Sequence, residues 1–559
     1  MRVQWLAALL GVLASKDFAS QVLADVPAYV NDYGYDREAH GIHPVQVYKS
    51  TDVVVPHLNL LQRDTACESS LYTLMTPRGQ ATREAQATIL DHNGHLIWTT
   101  RWHDQQLYNL MVQEYRGDNY LTFWAGNDAV GGHGAGFYYM LDKFYNEFKK
   151  VGAANGLDGD LHDFRITQDG TALITVYQIV PVDLTIVGKA ADGPVWDCLI
   201  QEIDLETGEA IFEWRALDHY NVTDSYRDVG GDGEGDRAWD FFHMNSIDKD
   251  SKGNYLASAR YTHSLTYING STGEIIWILG GKRNMFNDLS GGSATDFAYQ
   301  HDARWSDNET TITMFDNGVD DFHPTIATTR GLRVRLDEEA MTVALAAQYI
   351  NPQNIHGISQ GSCQTLPNGN TILGYGNTAA FTEFAHDGTV LCDTHFAPQS
   401  GFGKGAVQSY RVYKYDWVGW PAEPPAAVIA QDSTDDWAFY VSWNGATEVS
   451  TWLLQGSEKS NGTDHDWVDL DTVYKEEFET EFTLRKWYPT YLRAVAKDST
   501  GIVLGSTDPL DFNSTNRLWK PQTLRVEEDE DFAIRTLVIF CGVLSLGMLL
   551  QIARSAWHS

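Results

Sequence analysis

Basic residues are scarce in this chain of 559 residues. Lys and Arg together number 40 against 75 Asp and Glu, which gives a formal charge of −35. Such a surface repels nucleic acid and anionic lipid headgroups unless its few basic groups are gathered locally. We therefore expect no nucleic-acid partner.

Cysteine is also rare, with five residues in the whole chain. They form no CxxC motif and no Cys/His spacing typical of zinc, so the sequence predicts no metal site. Cys541 lies within an apolar run near the C-terminus. The others form an even set for an oxidising compartment and allow three pairings: Cys67, Cys198, Cys363 and Cys392. Of these we favour Cys363 with Cys392.

Long apolar runs stand out only at the two ends. The N-terminal stretch MRVQWLAALLGVLAS predicts a cleaved signal peptide over 1–24, with an uncleaved anchor or a buried strand as alternatives. Near the other end, 536–553 is eighteen residues without a charge, which suffices to cross a bilayer of about 30 Å. This predicts one transmembrane helix, preceded by an acidic stalk over 516–535 and followed by a cytosolic tail over 554–559. A GPI signal is the alternative.

Five N-glycosylation sequons agree with a lumenal or extracellular ectodomain in the secretory pathway or at the cell surface. They begin at Asn221, Asn269, Asn308, Asn461 and Asn513.

Glycine and aromatic residues, by contrast, are abundant: there are 48 Gly, and aromatics make up 12% of the chain. This composition favours an all-β protein of many short strands. Over 55–418 strand-like runs alternate with turns rich in Asp, Asn and Gly, as in DHNGHLIW, KDSKGNYLASAR and LPNGNTILGYG. Such degenerate repetition predicts a β-propeller of six to eight four-stranded blades, with a β-helix or a sandwich array as alternatives.

A Pro-rich linker, GWPAEPP, starts at Gly419 and breaks this pattern. The alternating segments after it predict a small immunoglobulin- or fibronectin-like β-sandwich over 419–515. The residues 25–54 are left as an N-terminal segment before the propeller.

Three histidines share a local context, in DLHDFRIT, FFHMNSID and YQHDARWS. His162, His243 and His301 each open a predicted strand that runs to a polar turn and returns as a second strand. Corresponding positions on different blades face the same central axis, so the three side chains are expected to converge. A single buried histidine is more often a packing or capping residue, and the recurrence is what favours a functional interpretation. Asp163 and Asp302 alternate away from their neighbouring histidines, so neither receives a catalytic role.

One predicted hairpin adds two further candidates. Asn245 lies two residues after His243 and so shares its face of a strand, and Arg260 returns beside them if the chain reverses near Ser251. Arginine and asparagine donate hydrogen bonds to the oxygens of a tetrahedral anion, while a neutral imidazole attacks its central atom. The set suits transfer of an anionic tetrahedral group.

At these motifs the sequence resembles the arylsulfotransferase family, in particular its eukaryotic membrane-anchored branch. The segments that carry the resemblance are YLTFWAG, DLHDFRIT, QEIDLETGEAIFEW, HMNSIDKDSKGNYLASAR, IIWILGGKR, QHDARW and LPNGNTILGYG. The resemblance implies a six-bladed propeller that moves a sulfuryl group between phenols without a nucleotide donor or other cofactor. It implies His301 as the nucleophile, and His243, Asn245 and Arg260 as ligands of the sulfuryl oxygens. It also implies that His162 assists in charge stabilisation or proton transfer.

The resulting hypothesis is an enzyme that takes a sulfuryl group from an aryl sulfate and gives it to a phenolic acceptor. The alternative is a catalytically silent propeller that serves as a cell-surface or lumenal binding module, because propellers host many functions. A quinone-dependent dehydrogenase is a third hypothesis, without a cofactor motif to support it.

Overall fold

The computed structural model describes residues 25–318, 328–431, 436–484 and 488–512. Almost all regular structure in these ranges is β, as the composition predicts. Six single-turn 3₁₀ segments accompany the strands: Tyr35–Arg37, Thr185–Val187, Ala216–Asp218, Val222–Asp224, Gln399–Gly401 and Asp464–Asp466. The predicted signal peptide, stalk, transmembrane segment and tail lie outside the described residues, as do Asn513 and Cys541.

The strands are short and follow one another closely along the chain. In chain order they are β1 (Tyr29–Val30), β2 (Val45–Val47), β3 (Val54–Pro56), β4 (Asn59–Arg63), β5 (Tyr72–Met75), β6 (Ala87–Leu90), β7 (Leu96–Thr100), β8 (Gln106–Tyr115), β9 (Asp118–Val130), β10 (His133–Leu141), β11 (Glu147–Val151), β12 (Gly159–Ile166), β13 (Thr171–Val182), β14 (Gly193–Asp204), β15 (Ala210–Arg215), β16 (Trp239–Asp240), β17 (Met244–Lys249), β18 (Tyr255–Ala259), β19 (Ser264–Ile268), β20 (Ile275–Gly280), β21 (Asn287–Asp288), β22 (His301–Ser306), β23 (Thr311–Asp316), β24 (Arg330–Asp337), β25 (Thr342–Tyr349), β26 (Ser362–Thr365), β27 (Thr371–Gly374), β28 (Ala380–Phe384), β29 (Val390–His395), β30 (Val412–Tyr415), β31 (Ala426–Gln431), β32 (Trp437–Ser442), β33 (Thr451–Ser457), β34 (Val468–Tyr474), β35 (Glu479–Thr483), β36 (Tyr491–Lys497), β37 (Val503–Ser506) and β38 (Leu510–Asp511).

Six antiparallel sheets of four consecutive or nearly consecutive strands stand around a common centre. They are β30-β5-β6-β7, β8-β9-β10-β11, β12-β13-β14-β15, β17-β18-β19-β20, β22-β23-β24-β25 and β26-β27-β28-β29. The first strand of each contacts the first strand of the next, so that β8, β12, β17, β22, β26 and β30 close into a ring. This arrangement is that of a propeller with six blades.

The ring closes by combining distant parts of the chain. Strand β30 pairs with β5, so the first blade takes its inner strand from the end of the repeats and its other three from the start. On the last blade, β4 pairs with the outer strand β29 and β1 pairs with β4. Both pairings reduce the unpaired edge that an open array would leave.

Two of the repeated polar turns are closed by the same pattern of hydrogen bonds. The carboxylate of Asp91 accepts hydrogen bonds from the backbone N–H groups of Asn93 and His95, and that of Asp250 accepts from Lys252 and Asn254 in the same way. The glycine in each turn, Gly94 or Gly253, has a positive φ of 87° or 83°. An aspartate followed by a left-handed glycine therefore closes both of these hairpins.

The apolar core lies between neighbouring blades. In one cluster Ile200 and Trp214 of the third blade pack with Ile247, Tyr255 and Ile278 of the fourth, all of them buried. Complete burial of each such side chain contributes about 1.5–3 kcal/mol.

The chain divides into two compact units at Leu510, and everything described below lies in the first. After the last blade this unit contains two further antiparallel sheets, β31-β32-β35 and β34-β33-β36-β37. The Asn444 amide joins them to the first blade through reciprocal hydrogen bonds of 2.9 and 2.8 Å with the backbone of Thr99.

The favoured disulfide is wrong. Cys363 lies in β26 and Cys392 in β29, three strand spacings or about 14 Å apart within one blade, too far for a bond. Cys392 is bonded instead to Cys67, with a Cα–Cα distance of 6.0 Å. The pairing of β29 with β4 explains this, because Cys392 lies opposite Arg63 and the chain continues from there to Cys67. Cys198 and Cys363 are buried and form no disulfide with another cysteine of the described ranges.

Among the described sequon asparagines, Asn221, Asn308 and Asn461 are exposed and Asn269 is half-buried. No helix within the described ranges has both the length and the apolar character needed to cross a membrane.

Candidate active site

Each of the three histidines lies where an inner strand begins and its pairing is irregular. His162 falls between Gly159 and Phe164 in β12, where the register to β13 shifts. His243 immediately precedes the shift in β17 and has a φ of 58°, and His301 opens the shifted stretch of β22. Bulges re-aim side chains at the rims of closed sheets, which explains how the repeat turns these imidazoles toward the axis.

One cavity of about 390 Å³ brings these side chains together. His162, His243, His301 and Arg260 all line it. Other polar and aromatic residues complete the lining, among them Arg78, Tyr108, Asp128, Arg227, Asp240, Tyr261, Gln360 and Tyr410. Its size is that of a small-molecule site.

The predicted hairpin supplies Arg260 but does not place Asn245 in the cavity. Met244 pairs with Ala259, and the N–H of Arg260 donates to the carbonyl of His243 at 2.9 Å. Asn245 is fully buried outside the lining, and its Nδ2 donates to the carbonyl of Gln300 at 2.7 Å. The bulge after His243 breaks the simple alternation that put both residues on one face. Asn245 thus holds the backbone next to His301.

In each of these three histidines an acceptor oxygen lies within hydrogen-bond distance of Nδ1. Asp160 Oδ2 lies 2.6 Å from Nδ1 of His162, and Asp240 Oδ2 lies 2.5 Å from Nδ1 of His243. Asn317 Oδ1 lies 2.7 Å from Nδ1 of His301. Because the Asn317 amide nitrogen donates to two carbonyls, its oxygen is left to accept from His301.

The second nitrogen of His301 therefore carries the lone pair. The backbone N–H of Gln360 donates to this Nε2 at 3.2 Å. Burial, followed by the Arg260 guanidinium, holds the pKa of His301 well below its usual range, so the ring is neutral at pH 7. A neutral imidazole with a defined lone pair is a competent nucleophile.

The two carboxylates behind the other histidines differ in charge. Burial raises the pKa of Asp160, but the adjacent His162 outweighs it and lowers the value to about 2. Burial dominates at Asp240 and raises its pKa, while burial and His162 lower that of His243. His162 thus faces an ionised carboxylate, and His243 faces one that is more easily protonated.

Beneath the cavity the motif aspartates form a buried ion network. Both oxygens of Asp163 accept from Arg304 at 2.8 and 2.9 Å, and Oδ1 also accepts from Arg411 at 2.9 Å. Asp302 accepts from Arg304 at 2.9 Å and from the hydroxyl of Tyr413 at 2.9 Å. These contacts join the inner strands of three blades, and in both His-Asp pairs the aspartate is paired with arginine.

Several residues of the site escaped the sequence reasoning. His133 is fully buried between the two carboxylates, 3.4 Å from Asp240 and stacked on Tyr177 with ring centroids 3.8 Å apart. Burial lowers its pKa to about 3. An acidic residue two or three positions before His162 and His243 was a visible signal for Asp160 and Asp240; Arg78, His133 and Tyr410 carried none.

Two overlapping groups could offer three donor atoms to a cation. They are His133 with Asp240 and His243, and His133 with Asp160 and His162, with ligand atoms within 4.8 Å of one another. Both carboxylates already accept the Nδ1–H of a histidine, and the Arg260 and Arg227 charges act on Asp240. The donor set therefore suits proton transfer and anion binding better than a resident metal.

A family model described as Arylsulfotransferase (ASST) matches residues 111–397, just over half of the chain. The chain belongs to the arylsulfotransferase family. The family segment contains His162, His243, Arg260 and His301, whereas Arg78 and Tyr410 of this arylsulfotransferase-family protein lie outside it.

Among solved structures, similarity is remote. A protein of unknown function from Bacteroides caccae is 14% identical, with 62% of this chain and 99% of that chain covered and a TM-score of 0.35. The periplasmic gluconolactonase PpgL of Pseudomonas aeruginosa is 11% identical, with 79% and 96% covered and a TM-score of 0.32. The Dos1 propeller is 9% identical, with 71% and 78% covered and a TM-score of 0.28. No curated protein sequence matches the chain.

Proposed function

We propose that this protein is a nucleotide-independent aryl sulfotransferase, which moves a sulfuryl group from an aryl sulfate to a phenolic acceptor through a sulfated histidine. The observation that carries this proposal is the meeting of His162, His243, His301 and Arg260 at one cavity. Family membership supports the activity class.

In the first half-reaction His301 Nε2 attacks the sulfur of the donor. The N–S bond forms as the bond between sulfur and the aryl oxygen breaks, and the phenolate leaves with that electron pair. The Nδ1–H bond to Asn317 stabilises the positive charge that develops on the ring. The hydrogen bond from Gln360 N–H to Nε2 has to break first, because it occupies the attacking lone pair.

His162 is the proposed acid and base. It gives a proton to the departing phenolate, and in the second half-reaction it takes one from the acceptor hydroxyl, whose oxygen attacks sulfur while the N–S pair returns to Nε2. The ionised Asp160 stabilises the positive form of this imidazole, which is present before the first proton transfer and again after the second.

Arg260 and His243 are the proposed ligands of the sulfuryl oxygens. The Nε of Arg260 is buried and has no hydrogen-bond partner among the residues that the structure describes, which leaves a donor for an anion. When the Asp240–His243 pair holds two protons, one of them lies between the Asp240 carboxylate and Nδ1 of His243. The other is then on Nε2, from which His243 donates a hydrogen bond. Asn245 supports the site indirectly through the backbone before His301.

A substitution of His301 tests the proposal. We expect His301→Ala to lower transfer from 4-nitrophenyl sulfate to phenol at least about 10³-fold with the fold intact, because the nucleophile is lost. The control is His386→Ala, which removes an exposed turn histidine. Mass spectrometry of the full chain incubated with donor alone should find one sulfuryl group on His301.

A folded protein that neither releases phenol nor becomes sulfated across several donors would refute the enzyme and favour the silent binding module.

We also propose that the protein belongs to the membrane-anchored eukaryotic branch and works in the secretory pathway or at the cell surface. The Cys67–Cys392 disulfide and the exposed sequons support an oxidising, glycosylating compartment. Enzymatic removal of N-glycans and protease protection of intact vesicles would test this. An ectodomain that carries no N-glycans and is digested by protease added outside intact vesicles, on their cytosolic side, would contradict it.

A further inference from the structure

The wall of the cavity carries a guanidinium that the proposed reaction does not use. Arg78 lines the cavity, its side chain is 8% exposed, and its Cζ lies 4.1 Å from the ring centroid of Tyr108. Its backbone is fixed to Gln408 by hydrogen bonds of 2.9 and 2.8 Å. A buried, positioned arginine is costly to desolvate and is normally satisfied by an anion.

The side chain of Arg78 is only partly satisfied by the protein. Nη2 donates to the Oε1 of Gln360 at 3.1 Å, and Nη1 lies 3.8 Å from Asp128, beyond hydrogen-bond distance. Nε has no hydrogen-bond partner among the described residues. The hydroxyl of Tyr410, on the same cavity, is likewise buried and unpaired within the described part of the chain. Two unused donors therefore meet on one wall.

This wall connects directly to the proposed nucleophile. Gln360 accepts from Arg78 through its side chain and donates to Nε2 of His301 through its backbone, so one residue spans the gap between the guanidinium and the imidazole. Aromatic rings follow the same path: Tyr108 lies 5.4 Å from Tyr410, and Tyr410 lies 6.3 Å from His301. A substituted aromatic ring bound along this wall would run from His301 toward Arg78.

We propose that Arg78 and Tyr410 form a second anion subsite, which selects aromatic substrates with an acidic substituent, a carboxylate, at the end of the ring remote from the transferred group. The inference rests on the proposed function for the placement of the reacting oxygen. The overall charge of −35 strengthens it, because an anionic substrate needs local guanidinium groups to enter such a protein. Neither residue lies in the segment that the family model matches.

Calorimetric binding of unsulfated phenols to the full chain tests the subsite without requiring turnover. The probes are 4-hydroxybenzoate, its neutral isostere 4-hydroxybenzamide and the cationic 4-hydroxybenzylamine. We expect the carboxylate to bind at least about tenfold more tightly than the amide, the range for a hydrogen bond to a charged group. Arg78→Gln should abolish the preference, Arg78→Lys should keep part of it, and Tyr410→Phe should weaken it severalfold.

Arg227→Gln is the matched control, because Arg227 lines the same cavity but is paired with Asp232 at 2.9 Å. It should retain most of the preference. Equal binding of acid and amide to the wild-type chain would overturn the subsite, and so would an equal loss of preference in Arg78→Gln and Arg227→Gln. Tighter binding of the amine would also overturn it and assign the wall to Asp128. Preferential binding without any sulfuryl transfer would leave the subsite standing and refute the enzyme.

Discussion

At the scale of single residues, the three histidines differ in the group that holds Nδ1. An amide oxygen holds the ring of His301, an ionised carboxylate holds His162, and a carboxylate with a raised pKa holds His243. The same residue type is thereby held by groups of different charge at equivalent positions of the repeat. In the proposed mechanism this difference separates the nucleophile from the acid and base.

Asp160→Asn tests the assignment of His162. The amide carries no negative charge to stabilise the protonated ring of His162, so we expect about a 10- to 100-fold loss of kcat/KM. The loss should be greater with phenyl sulfate than with 4-nitrophenyl sulfate, whose leaving group needs less protonation. Asp158→Asn, at an exposed position two residues away, is the control. An equal loss with both donors would show that Asp160 has only a structural role.

At the scale of the strands, the histidine and the aspartate of each His-Asp pair in β12 and β22 have different roles. The bulge directs the histidine into the cavity, and the aspartate enters the ion network with Arg304 and Arg411. The buried carboxylate of Asp163 joins the inner strand of its own blade to Arg304 on β22 and to Arg411 just before β30. The geometry of the site therefore depends on buried ion pairs that do not line the cavity.

Asp163→Asn should weaken this connection strongly. It leaves two buried guanidinium groups without their shared charge, and we expect a loss of about 3–5 kcal/mol in the free energy of unfolding. Chemical denaturation measures it. Asp169→Asn is the matched control, because that carboxylate is 72% exposed in its contact with Lys249. A change below about 1 kcal/mol, the range of a surface ion pair, would contradict the proposed role.

At the scale of the whole molecule, the start of the described chain is bound to the sheets that follow the propeller. Asp25 accepts from the backbone N–H groups of Phe478 and Glu479, and its own N–H donates to Glu477. Glu479 accepts in turn from Lys49. These acidic side chains lie close together because each accepts a hydrogen bond from a backbone N–H group. Their negative charges repel one another.

Burial, with a further contribution from Glu477, raises the pKa of Asp25 to about 7. A carboxyl group whose pKa is raised on folding stabilises the folded state while protonated, and this contribution is lost as the pH rises from about 4 through 7. We therefore expect Asp25→Asn to be more stable than the wild type at pH 8, with the difference shrinking toward pH 5. Thermal unfolding at the two pH values measures it, with the exposed Asp52→Asn as control. A difference that does not change with pH would refute the assignment.

Much of this could be predicted from local patterns. The all-β class, the Asp-Gly turns and the equivalence of His162, His243 and His301 follow from a repeat whose turn chemistry and strand period act over a few residues. The return of Arg260 beside His243 follows from one hairpin. The sequence also shows Asp160 two residues before His162 and Asp240 three residues before His243.

Other features depend on the closed ring. The sequence by itself determined which residue types recur at the strand starts, and hence the class of chemistry that we propose. Only the tertiary structure decided that Cys67 rather than Cys363 meets Cys392, that Asn245 lies outside the cavity lining, that Arg78 and Tyr410 line the cavity, and that His133 contacts Asp240. The physical reason is that strand pairing between distant segments and the register shift at each bulge set these contacts, and neither is encoded in local periodicity.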